Sequence, residues 1–377
     1  MSKRLLMVVA VCAGLVAASF SQGIADSDEN LASDFWAWRA RSGQYTSDDV
    51  PRMERPLGVV RDWSAAGVEE QRIELAKFDE RWRKLDDRTA PVWKQVDHWL
   101  IGSALARVRW ELDILKRWQR DPNFYIEQTV TPVGEALTVL GPYVQRQSQE
   151  ILAWLNNVPR ILKQAQQNLV SPPAPFTKIA IAALANIRPR FEQLARTLPP
   201  ETTIVAADWQ ASAERAATAL EEYRAWLQKA SPTLPAQSAI GRENYLWFLR
   251  NVALIPYTPE ELVARAEQEW RRAVVFEGME ANRNSSVPPL VMAATLEEFI
   301  ARHQKAEAAV REFLERRKIL TLPAWMQHFT LRPLPPYLAA LADFVETDDF
   351  TSPSRLDQNG IRYVDPPSPT GGYFWIA

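Results

Sequence analysis

The stretch Thr258-Pro259-Glu260-Glu261 carries the strongest folding instruction in this 377-residue chain. Thr258 can cap a helix, Pro259 suits its first position, and Glu261, three residues past the cap, can reach back to the cap's own amide. The helix it opens places Val263, Ala266, Trp270 and Val274 in steps of three and four, which makes one apolar stripe. Glu261, Arg265, Glu267, Glu269, Arg271 and Arg272 take the wet faces. Upstream, Tyr245, Phe248, Leu249 and Val252 form a second stripe that Ile255-Pro256 ends. Two helices joined by a short proline-marked turn, a helical hairpin, are expected here. The rest of the chain follows the same grammar: 13 glycines against 27 prolines suit long helices separated by proline breaks rather than a sheet with tight turns. The expected fold class is mainly α, helical hairpins or a bundle with a minor β element near the C-terminus.

Residues 1–25 read as a secretory signal peptide. Lys3 and Arg4 give a charged start, residues 5–20 an apolar run too short to span a membrane comfortably, and Gly23 and Ala25 a cut before Asp26. Cys12 lies inside that run, and the bulky Val11 before it makes a poor lipoprotein signal. Cleavage removes two of the 44 basic residues and none of the 46 acidic ones, for a net charge of −4, and leaves no disulfide or thiolate chemistry. An exported protein, periplasmic or extracellular, with no membrane span after signal removal, is the expectation. The mildly acidic balance makes nucleic acid a poor partner.

After an opening helix over 30–40, helices dominate. Leu75, Phe78, Trp82 and Leu85 keep helical spacing, as do Ile101, Leu105, Val108, Leu112 and Leu115. A helix from Gly141-Pro142 to about Leu169 holds a possible interruption at Pro159. Ser171-Pro172-Pro173-Ala174-Pro175 is a break that divides an N-terminal helical region, 26–170, from a second, 171–377. Single helices are expected over 176–198, 206–230 and 296–318, the last with Phe299, His303, Ala306, Val310 and Phe313 on its buried face. Beyond Pro323 the character turns strand-like, over 325–334 and again over 371–376. The 15 tryptophans are read as cross-links between helix faces, with a carbohydrate- or peptide-binding surface as the alternative.

The chemistry-bearing residues form no complete motif. Three histidines, His98, His303 and His328, lie far apart, without a His-Glu-x-x-His or any two-His helical spacing. His98, beside Asp97, is expected at the surface, His303 as a hydrogen-bonded core residue, and His328 in a structural role. Neither a Gly-x-Ser-x-Gly turn nor a phosphate-binding glycine loop occurs. Glu260-Glu261 and Glu297-Glu298 suit helix starts, and Glu346-Thr347-Asp348-Asp349 is expected as a solvated loop, since it lacks the spaced ligands of a calcium site.

The order of several short motifs resembles a bacterial family, domain of unknown function 885. They are Trp110-Glu111-Leu112, Arg120-Asp121-Pro122-Asn123 with Tyr125, Gly241, Glu243 and Tyr245, Leu249-Arg250, the Thr258–Leu262 start, Phe313, Leu322-Pro323 and the final GIRYVDPPSPTGGYFWIA. The likeness covers about 30–377, which implies one continuous family domain there. Members resemble metal-dependent peptidases, so it implies a hydrolase of peptides or small molecules, with zinc as the metal. In the family the last run is followed by a His-Glu pair and, after Pro-Gly, another His, and no such motif occurs in these 377 residues. The resemblance therefore implies the scaffold and substrate-side part of such an enzyme, inactive as it stands and truncated, with no catalytic or metal residue in the chain. Gly371, Gly372, Tyr373 and Phe374 would line the substrate groove. A reading of a different class is a non-catalytic helical binding or scaffolding protein of the cell envelope.

Overall fold

The computed structural model describes residues 27–46, 53–56, 58–85, 88–288, 291 and 293–364. Side-chain caps start the first helices: Ser27 accepts from the Asn30 amide at α1 (Asp28–Ser42), and Ser64 from Gly67 at α2 (Ala65–Lys84). α3 (Val92–Arg109) runs without a break into a π-helical turn, Trp110–Leu115, which Lys116 closes with a positive φ of 51°. Three short helices follow, α4 (Arg117–Arg120), α5 (Pro122–Glu127) and α6 (Thr131–Thr138).

Three longer elements then build the centre of the body. α7 (Gln145–Asn168) passes through Pro159 unbroken, because Leu155, Val158, Ile161 and Leu162 anchor it on both sides of the missing donor. α10 (Ala206–Ala230) packs between α7 and α9 (Ile187–Thr197). Its buried line, Ala213, Ala216, Ala217 and Leu220, is mostly small, so the helices come close, while Trp209 and Tyr223 fill the space at either end. Residues 176–198 form two helices rather than the one expected. α8 (Ala174–Ala183) stops, and α9 begins after Asn186, so that Pro189 sits in a first turn, where its missing N–H breaks no helical bond. One core cluster runs from Leu31 to Tyr363 and includes residues on both sides of Pro172-Pro173.

The next helices leave this body. α11 (Arg242–Asn251) packs on α3, with Trp247 stacked over Trp110 at 6.3 Å and the Ser103 hydroxyl donating to the Val252 carbonyl at 2.7 Å. α12 (Pro259–Arg283) has the expected capping box: the Glu261 amide donates to Thr258 Oγ1 at 3.2 Å and the Thr258 amide to Glu261 Oε2 at 2.8 Å. Its stripe, however, is bare. Val263, Trp270 and Val274 are all exposed, and none of the helix's residues is buried. The two helices are thus joined at their N-terminal turns, where Arg242 pairs with Glu260 at 2.8 Å, and not by the two stripes.

α13 (Leu296–Arg316) corrects its expectation in the same way, burying Phe299 but leaving Val310 and Phe313 exposed. The minor β element is a three-stranded sheet, order β1-β3-β2: β1 (Phe329–Pro333), β2 (Asp348–Asp349) and β3 (Gly360–Val364), with a short α14 (Pro336–Ala339) after β1. β3 is central, parallel to β1 and antiparallel to β2. Phe299, Leu331 and Val364 pack α13 onto it in a small second cluster.

Candidate functional site

A cleft of about 860 Å³ opens beside α5 and α6. One wall is α5 and α6 with Thr46 and Arg55, a second is the α8–α9 joint with Arg190, and the third is the 342–355 segment that carries β2. Its lining is dominated by charges that hold one another. Arg355 donates to both oxygens of Asp349 at 2.7 and 2.8 Å, and Arg190 pairs with Asp343 while donating to the Ala340 carbonyl at 3.3 Å. Arg117, from behind the wall, grips Glu127 through two bonds of 2.7 and 2.8 Å, and Asn123 adds a third at 3.0 Å. Burial still pushes the Glu127 carboxyl above its ordinary range, against the pull of Arg117. Glu135 and Glu346 add exposed carboxylates.

The acidic run 346–349 is therefore not a solvated loop. Asp349 is buried in β2, and Asp348 faces Arg362 at 3.5 Å across the strand pair. The sequence signal for this was present in Arg355 and Arg362, but nothing in their spacing tells which aspartates they reach.

On the remaining side, Tyr45 is fixed by Gln128, which accepts from its amide and donates to its carbonyl, both at 2.9 Å. Two guanidinium groups lie over the Tyr45 ring, Arg55 at 4.3 Å and Arg61 at 4.5 Å from its centroid. Arg55 donates to the carbonyls of Gly43 and Gln44, each at 3.0 Å. The lining contains no histidine and no cysteine, and the Ser352 hydroxyl in it donates to Glu54 Oε1 at 2.7 Å.

The histidines are elsewhere. His98 is buried rather than at the surface: its Nδ1 lies 3.0 Å from Asp28 of α1, and its ring stacks on Trp82 of α2 at 5.0 Å. Helix spacing places it on α3 but does not reveal that α1 and α2 close over that position. His303 is only half-buried, and its buried Nε2 lacks the hydrogen bond expected of a core histidine. His328 is exposed at the entrance to β1, its Nδ1 3.0 Å from Glu307, which Arg311 also holds. Among the described residues no three His, Cys, Asp or Glu side chains are arranged to hold a metal, so the zinc implied by the resemblance finds no donor set in them. Gly371, Gly372, Tyr373 and Phe374 lie outside the described residues.

A second feature is the uncovered apolar surface. Besides the stripe of α12, its consecutive Val274, Val275 and Phe276 are all exposed, so apolar side chains point to more than one side of the helix. The outer face of α3 adds Val92, Trp93, Val96, Trp99 and Leu100. These tryptophans do not cross-link helix faces, whereas Trp63, Trp118, Trp154 and Trp209 do lie in the core.

Comparison with known proteins gives three findings. A family model described as bacterial protein of unknown function (DUF885) matches residues 51–370. No curated protein matches. Among solved structures, a protein of unknown function from Shewanella oneidensis, described as a candidate lipoprotein, is similar with a TM-score of 0.57 and 16% sequence identity. The match covers 91% of this chain and 65% of that one, so this chain spans about two thirds of its relative's length. At that identity the likeness is one of fold.

Proposed function

The chain belongs to the bacterial family of unknown function DUF885, and from that premise we propose that it forms the scaffold and substrate-side part of an exported metal-dependent hydrolase, with peptides as the first substrate class to test. One observation carries the reading. α12 has a strong cap and an interior helix's pattern, with apolar residues on more than one side, yet buries none of them. A 25-residue helix of that kind is expected to be covered, and its cover would form the other side of a site. Strand β1, an outer strand paired only with β3 among the described residues, suits an extended peptide added along its open edge. The metal, zinc by the family resemblance, and the general base belong to protein outside the described residues, and no catalytic step is assigned within them. Export is supported by residues 1–25 and by the candidate-lipoprotein description of the Shewanella oneidensis relative. No described helix is long and apolar enough to cross a membrane.

The second reading, a non-catalytic binding or scaffolding protein of the cell envelope, is favoured by the cleft, whose charges are largely paired with each other. One experiment separates the two. The product of the gene's whole reading frame is assayed on an internally quenched peptide library, with and without chelator, beside residues 26–377 alone. The hydrolase reading expects cleavage by the former that chelator abolishes and zinc restores, and none by the latter. Cleavage by neither sample, with zinc present, removes it and leaves the binding reading.

A further inference from the structure

Helix α3 carries one apolar stripe, and only its C-terminal half is covered. At about 100° per residue, Val92, Trp93, Val96, Trp99 and Leu100 fall within about 120° of one another around the axis. The same line continues through Ser103 to Trp110. There α11 closes over it: the Ser103 hydroxyl donates to the Val252 carbonyl at 2.7 Å, and the Trp110 ring lies 6.3 Å from Trp247 and 5.0 Å from Phe248. The N-terminal half has no such cover among the described residues, with Trp93 59% and Trp99 54% exposed. Around the axis, the aliphatic Val92, Val96 and Leu100 occupy the middle of the stripe, and the tryptophans stand at its two edges. The charged neighbours Lys94 and Asp97 fall outside it.

That arrangement suits a lipid surface. Aliphatic groups enter the acyl boundary, while indoles, apolar in body and polar at the N–H, sit at headgroup level. The N-terminal leader points to the same occupant. Its apolar run ends at Phe20 and Ser27 caps α1, so the seven residues from one to the other span at most about 25 Å of chain. α1 in turn is held against the helix that carries the stripe, since Asp28 lies 3.0 Å from Nδ1 of His98, the residue before Trp99. On the export reading of residues 1–25, on which this step rests, the leader brings α3 up to the bilayer that it enters. We propose that the bare half of the stripe docks flat on a phospholipid surface. The contact is apolar, because the chain without its leader has 42 basic residues (44 less Lys3 and Arg4) against 46 acidic ones, and little charge to offer an anionic surface. The hydrolase reading does not enter, since the test measures lipid binding alone.

The test is flotation of residues 26–377 with vesicles of phosphatidylcholine and, separately, of phosphatidylethanolamine with phosphatidylglycerol. Binding to both is expected, and it should survive raised sodium chloride. W93E/W99E should bind about tenfold more weakly or worse, whereas W270E, at a more exposed tryptophan on α12, should bind as the native protein does. Should the glutamate pair melt lower than the native protein, W93F/W99F keeps the question open to measurement. With brominated phosphatidylcholine it should still bind but lose most of the lipid-induced quenching of tryptophan fluorescence. Several results overturn the proposal: no flotation of the native protein, flotation that salt abolishes, native-like flotation of W93E/W99E, an equal loss in W270E, or undiminished quenching in W93F/W99F. A concentration-dependent dimer in sedimentation equilibrium that W93E/W99E dissociates would also overturn it, since a second copy of this chain would then be the cover.

Discussion

Trp209 and Trp270 offer a matched pair of perturbations, since each lies on a 25-residue helix and they differ in surroundings. Trp209 is 1% exposed, with its indole N–H donating to Thr202 Oγ1 at 2.9 Å, and Trp270 is 71% exposed. W209A removes a buried indole and leaves a cavity, which costs about 3–5 kcal/mol. W270A removes little buried area, and alanine's better helix propensity returns a few tenths of a kcal/mol, so the change should stay within about 0.5 kcal/mol. Were Trp270 covered instead, burying its exposed 71% of an area of about 250 Å² at about 25 cal/mol/Å² would be worth about 4 kcal/mol. The assay is urea unfolding of residues 26–377 followed by far-ultraviolet circular dichroism, comparing midpoints at equal slope. A loss above about 1.5 kcal/mol for W270A would refute the reasoning, because it would mean that α12 is already packed within this chain.

Other outcomes follow from particular contacts. R39M should cost about 1.5–3 kcal/mol, since it removes two charge-assisted bonds from the buried Glu111 carboxylate and leaves it the one from Arg107 Nε at 3.1 Å, and R39M/E111L should recover much of that loss in the same unfolding assay. G102A would normally gain helix propensity, but its Cβ would come within 2.6 Å of the Trp82 ring, so a loss of about 1–3 kcal/mol is expected; a gain in Tm would refute the close packing of α2 on α3 at this point. For Glu307, burial pushes the carboxyl up, but hydrogen bonds from His328 and Arg311 outweigh it, and the group sits below its ordinary range. A carboxyl depressed in the folded state contributes stability above its unfolded value, about 4.3, and loses that contribution as the pH falls through the folded value. E307Q should therefore flatten the acid side of the stability–pH profile, and an unchanged profile would count against the Glu307–His328 contact.

What could be read from the residues divides along a physical line. Spacing and caps act within one segment, so Thr258, Pro259 and Glu261 announce α12 without help from the rest of the chain. Whether a stripe is covered depends on a neighbour, and Val263 or Trp270 carries no mark of it. The His98 and Asp349 errors have the same origin. Their partners Asp28 and Arg355 lie on other elements, and spacing along one helix or loop does not say which elements close on each other. The cleft is further out of reach, since its walls come from four separate parts of the chain. Pro189 is the exception that a closer reading of local rules would have caught, because a proline three residues into a helix places that helix's start.

The π-helical turn Trp110–Leu115 governs the phase of everything after it. It holds three neighbouring residues, Trp110, Glu111 and Leu112, in buried positions. One residue fewer in that turn would rotate the following chain by about 100°. The Trp118 indole would then leave the Leu112 carbonyl, which it meets at 3.0 Å, and Arg117 with its partner Glu127 at the cleft wall would be re-aimed against α3. A single-codon deletion in these six positions would thus misdirect a wall of the cleft by altering angular register while leaving the residues of that wall unchanged.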